Sequence, residues 1–142
     1  MSNEARSNAA SEKKQWFEAA KEGDIEALKQ MLNQGFDINT QDEKLNTALH
    51  HATKQQQYAT MTFLIEHGAD VMLQNDWLST PLHLCEKDID AIRILLEAGA
   101  DPNIKDKDYD FPYYFAFYGS MTKELTDLYI KHGAHLVYKK DM

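Results

Sequence analysis

One phrase of four residues constrains this chain more than any other. Thr47-Ala48-Leu49-His50 recurs thirty-three residues later, in the same frame, as Thr80-Pro81-Leu82-His83. Threonine is a strong helix N-cap, because its hydroxyl accepts a hydrogen bond from a first-turn amide that lacks an intrahelical partner. Proline suits the next position, where its missing N–H costs nothing and its φ is already helical. The phrase therefore marks helix starts, and its recurrence at a fixed interval marks a repeated structural unit.

A second phrase closes each unit. "NQGFDIN", "EHGADVM", "EAGADPN" and "KHGAHLV" put Gly35, Gly68, Gly99 and Gly133 just after apolar helical stretches. A helix commonly ends there in the left-handed conformation. From Gly35 to Thr47, Gly68 to Thr80 and Gly99 to Phe111 the distance is a constant twelve residues. The helical part varies: eighteen residues separate His50 from Gly68, sixteen His83 from Gly99, and nineteen Tyr114 from Gly133. The connecting loop is thus the fixed element, and the helix pair absorbs length changes at its inner turn. The segments before each stop, "DIEALKQML", "YATMTFLIE", "IDAIRILLE" and "KELTDLYIK", are helix formers with apolar residues grouped for burial. One such pair cannot bury its stripe alone; stacked neighbours complete the core.

With "TALHHA" and "TPLHL" at the starts and "GADV" and "GADPN" at the ends, the chain resembles ankyrin-repeat proteins over residues 14–136. The resemblance implies an all-α solenoid of about four helix-turn-helix units joined by β-hairpin-like finger loops. The units fall at about residues 11–41, 42–74, 75–105 and 106–138, in a single domain over 11–142 behind a disordered tail, 1–10. Departures are informative. Leu45, Leu78 and Tyr109 stand two residues before the helix start, where the family usually has Gly. The third unit lacks two residues between Cys85 and Asp88, about 3 Å of helix, so its inner helix should stop near Glu86 and Lys87 and leave a notch. The fourth has Phe111 for the capping Thr and Tyr114 for the His, as expected of a degenerate terminal cap.

Composition excludes several function classes. With 43% hydrophobic and 27% charged residues the chain is ordinary for a globular protein. A single cysteine, Cys85, gives neither a disulfide framework nor a thiolate cluster. A net charge of −8 disfavours nucleic acid as a partner. No apolar stretch is long enough for a membrane span, and "MSNEARSNAASEKK" lacks the apolar core of a secretory signal, so the expected location is cytoplasmic.

Six histidines raise the question of catalysis. His50 and His83 belong to the helix-start phrase and are expected to bond backbone and the neighbouring Thr; His67 and His132 complement helix C-termini; His51 and His135 look isolated. "DKDYDFP" begins like a calcium loop with Asp106, Asp108 and Asp110, but Phe111 and Phe117 replace the required Gly and Glu. No metal, cofactor or catalytic site is expected; a metal-dependent hydrolase using His50, His51 and the acidic loop is the remote competitor. The aromatic run "YDFPYYFAFYG" reads as a cap core or, alternatively, as a contact patch.

What the resemblance implies is binding through loop tips and the exposed face of the inner helices. The expected contact residues are Glu43, Lys44 and Asn46 in the first loop, Asp76, Trp77 and Ser79 in the second, and Lys107, Asp108 and Asp110 in the third. Lys54, Gln55, Glu86 and Tyr118 join them from the inner helices, with Lys21 and Glu22 alongside. Each loop stretch carries −2, so the expected partner is one protein with a basic surface, and the chain alone a monomer. Inhibition by sequestration, as by an immunity protein against a basic toxin, is the leading expectation; a passive adaptor joining two proteins is the alternative.

Overall fold

The computed structural model describes residues 3–114 and 122–136. Among them six α-helices and one 3-10 helix follow one another: α1 (Asn3–Glu22), α2 (Ile25–Asn33), α3 (Ala48–Lys54), α4 (Tyr58–Glu66), the 3-10 helix Pro81–Cys85, α5 (Ile89–Glu97) and α6 (Lys123–Lys131). No strand is assigned among the described residues. An inner row of α1, α3 and the 3-10 helix packs side by side, and α2, α4, α5 and α6 lie behind it.

The core runs between the rows. Trp16, Leu28, Leu49, Met61, Leu64, Leu82, Ile92, Leu95 and Tyr129 are all buried, each contributing roughly 1.5–3 kcal/mol of transfer free energy. Every outer helix is nine residues long and ends two residues before a glycine. At Gly35, Gly68, Gly99 and Gly133 φ is +90 to +96°, and a Cβ there would meet nothing. Conformation, not space, reserves those four places for glycine. Outer helices start on Asp24, Asp88 and Thr122, whose side chains accept from the third amide on. Gln57, ahead of α4, makes no such cap. Its side-chain Nε2 instead donates to the Lys21 carbonyl at 3.0 Å, joining two inner turns.

A second ladder joins units behind the glycines. Asp37, Asp70 and Asp101 each accept from the amide two residues on, at 2.8–2.9 Å. Asn39 then accepts from the Asp70 amide, and Asn103 from the His135 amide, both at 2.9 Å. At the middle rung Met72 replaces asparagine, and the Asp101 amide is left with its sulfur at 3.2 Å.

Two findings go beyond the sequence reading. The chain is helical from Asn3. "NEARSNAASEKK" holds no breaker and is rich in Ala, Glu, Arg and Lys, so nothing stops the helix from running on. The third inner helix is not just shortened near Glu86: all of Pro81–Cys85 is 3-10. Losing two residues forces a tighter winding to reach the same turn, and Glu86 absorbs the rest at φ 51°, ψ −110°. The inner helix expected of a fourth unit falls outside the described residues; α6 packs against α5.

Candidate protein-interaction face

Three successive loops share one hydrogen-bond pattern. The amides of Asp42, Asn75 and Asp106 donate to the carbonyls four residues on, those of Asn46, Ser79 and Asp110, at 2.9–3.0 Å. The same three side chains accept from two amides each: Asp42 Oδ1 from Lys44 and Asn46, Asn75 Oδ1 from Trp77 and Ser79, Asp106 Oδ1 from Asp108 and Asp110. To close a loop so small, the residue before the last must take positive φ. It is Leu45 at 63°, Leu78 at 57° and Tyr109 at 63°, the three positions where glycine is missing. A side chain there costs about 1–2 kcal/mol over glycine.

The loops are laced to one another. The Asp76 amide donates to the Lys44 carbonyl at 2.9 Å, and the Lys107 amide to the Trp77 carbonyl at 3.0 Å. Beneath, each helix-start histidine clasps the following loop. His50 Nδ1 accepts from the Thr47 amide at 3.1 Å, which leaves the proton on Nε2, and Nε2 donates to the Ser79 carbonyl at 2.9 Å. His83 repeats this with the Thr80 amide and the Asp110 carbonyl, at 3.0 and 3.1 Å. Burial pushes His50 down to about 4, against the opposing pull of the Ser79 bond. Both nitrogens are in use, so this ring holds structure and is closed to acid–base work on a ligand.

His51, expected to be isolated, is not. Its Nε2 lies 2.7 Å from Asp42 Oδ2, and its ring meets the edge of Phe17 at 5.4 Å. Burial lowers the imidazole more than Asp42 raises it. Burial also works to raise the Asp42 carboxyl, but hydrogen bonds from His51 and the Asn46 and Lys44 amides outweigh it and hold it low. The two directions agree on one state at neutral pH, a carboxylate accepting from a neutral Nε2–H. Asp106, Asp108 and Asp110 do converge, with carboxylate oxygens within 4.8 Å of one another, but Asp106 spends an oxygen on closing its loop as its counterparts do.

The exposed tips carry Glu43 and Lys44, then Asp76 and Trp77, then Lys107 and Asp108. Trp77 is 49% exposed, with Lys107 Nζ 5.6 Å from its ring centroid. Leu45, Leu78 and Tyr109 stand outward beside them, 45%, 44% and 70% exposed. Sequence reading noted these three only as departures. Their exposure follows from the left-handed turn, which aims the side chain off the ribbon. Lys54 and Gln55 are exposed at the end of α3, and Glu86 at the notch. Asn46 is half-buried, its Oδ1 accepting from Asn75 Nδ2 at 2.8 Å. Ser79 and Asp110, expected as tip contacts, are buried at 5% exposure. Their carbonyls face the histidines, so they brace the loops from below and offer no side chain to a partner. Tyr118 lies outside the described residues, as do Phe115 and Phe117. Of the aromatic run, Tyr113 is buried in the cap, edge-on to Tyr129 at 5.8 Å and donating to the His135 carbonyl.

The described residues contain no helix long and apolar enough to cross a membrane. No curated protein matches the chain. The family model for ankyrin repeats, in three copies, matches residues 16–106, more than half of the chain, from Trp16 in α1 to the first residue of the third loop. Helix pairs, laced loops and family match all keep the same register, and the chain belongs to the ankyrin-repeat family.

Proposed function

We propose that this protein holds one protein partner along its loop tips and acts by covering that partner's surface, in the cytoplasm and as a monomer on its own. Ankyrin repeats are protein-interaction modules, which sets the class. The observation that carries the reading is the row Leu45, Leu78 and Tyr109: bulky side chains, 44–70% exposed, held at positive φ where glycine would close the loop at lower cost. Strain together with exposed apolar surface opposes folding and solubility, and a partner that buries the row offsets the cost of the exposed surface. Trp77 adds an aromatic anchor to the row. Glu43, Asp76 and Asp108 outnumber Lys44 and Lys107 on the tips, which favours a partner that is basic where it meets them. Inhibition by masking follows most simply, and an immunity protein against a basic toxin is one form it would take.

The test is capture from the native cell with the wild-type chain and with a Leu45→Gly/Leu78→Gly/Tyr109→Gly/Trp77→Ala variant, each immobilised. The wild type should retain one stoichiometric protein, and the variant should lose it while melting no lower. Equal retention by the variant would remove the tips from the reading, and no stoichiometric protein on the wild type would remove sequestration. Two proteins bound at once, only one of them lost in the variant, would make the chain an adaptor.

A further inference from the structure

The exposed face of α3 carries a groove that contrasts with the rest of the molecule. It encloses about 330 Å³ between the inner helices and the first two loops, and no Asp or Glu lines it. In a chain of net charge −8, its walls hold Lys21, Lys54, His51 and the amides of Asn46 and Gln55. Lys21 and Lys54 make no ion pair with any described residue. Asp42, the carboxylate beside His51, is already occupied by that ring and two loop amides. One amide orientation is dictated from behind. Asn75 Oδ1 accepts from the Trp77 and Ser79 amides, so Nδ2 must be the group that donates to Asn46 Oδ1. That in turn makes Asn46 Nδ2 a donor, with no acceptor among the described residues.

We propose that this groove receives an acidic, extended segment of the protein partner, with Lys21 and Lys54 each facing one carboxylate and Asn46 Nδ2 donating to it. The inference rests on the protein-binding reading above and names the chemistry of one part of the contact. Spacing favours a segment over a single compact anion. Lys21 and Lys54 are one unit apart on neighbouring inner helices, whose axes pack about 8–10 Å from each other. A chain extended in the threefold polyproline II form rises about 3.1 Å per residue, so acidic residues three apart lie on one side about 9 Å from each other and match that interval. A phosphate would present all its charge at one point between the two. The partner is then two-signed: basic across the tips, acidic where it enters the groove.

The test is a titration of ¹⁵N-labelled full chain with three probes: the peptide Ac-Ala-Glu-Ala-Ala-Glu-Ala-amide, its Lys-for-Glu counterpart, and inorganic phosphate. The acidic peptide should shift the Asn46, Lys54 and Gln55 amides saturably. Lys21→Gln/Lys54→Gln, at one half-buried and one exposed side chain that make no ion pair among the described residues, should weaken it roughly three- to tenfold with an unchanged melting temperature. No saturable shift in the groove, equal shifts from the basic peptide, or tighter binding of phosphate than of the acidic peptide would each overturn the proposal. Tip and groove fail separately. The quadruple tip variant leaves this titration unchanged if the groove works alone, and the lysine variant leaves the tip row intact.

Discussion

Acid should open the joint between the second unit and the loop it clasps, and His50 sets where. Its ring is buried at 1% exposure, accepts through Nδ1 and donates through Nε2. Protonating Nδ1 turns the acceptor into a donor facing the Thr47 amide, so the folded state resists the proton. The pKa is about 4 in the fold against 6.5 for a free imidazole. Because the unfolded chain takes the proton first, this contribution to stability is complete above about pH 6.5 and shrinks as the pH falls towards 4. Linkage over that interval gives a loss, relative to pH 7.5, of about 1 kcal/mol at pH 5.5 and about 2–3 kcal/mol at pH 4.5. Urea unfolding across this range should show the decline, and His50→Gln, less stable at neutral pH, should show a correspondingly shallower one. The direct readout is the Cε1 proton of His50 by NMR, whose chemical shift should stay flat until well below pH 5.5. An inflection above pH 6, or an identical pH slope in the variant, would refute the reasoning.

Three further changes test the frame. Met72→Asn should supply the missing rung of the ladder, exchanging a sulfur acceptor for an amide oxygen under the Asp101 amide, and raise stability by about 0.5–1 kcal/mol in urea unfolding; a decrease would show that the sulfur packs better than it bonds. Leu78→Gly removes a left-handed leucine, and relief of about 1–2 kcal/mol exceeds the roughly 0.5–1 kcal/mol of added chain entropy. The melting temperature should therefore hold or rise, and a clear fall would mean that the half-buried leucine packs more than it strains. Gly99→Ala meets no atom but must sit at φ +92°, and should lower stability by about 1–2 kcal/mol in thermal unfolding.

Sequence spacing made the frame legible because backbone geometry leaves few residues able to do each job. Gly68 and Gly99 stop helices for the same reason in any chain, and Thr47 with His50 start one. The notch at Glu86 was visible as two missing residues, although not that the whole of Pro81–Cys85 would tighten to 3-10. The site was harder to read. Ser79 and Asp110 look like polar tip residues, and only the carbonyl bonds from His50 and His83 reveal that they face inward. His51 and Asp42 are nine residues apart, with a loop and a helix start between them, so no local pattern announces their contact. Leu45, Leu78 and Tyr109 could be seen to break the family habit, but whether they tuck under or point out depends on a dihedral angle that composition does not encode.

The lacing of the loops, Lys44 to Asp76 and Trp77 to Lys107, is made wholly of main-chain atoms. Alignment from one rib to the next is therefore independent of which amino acids crown it. The crown can be rewritten, residue by residue, without the scaffold losing its pitch, and a change of target need not be a change of architecture.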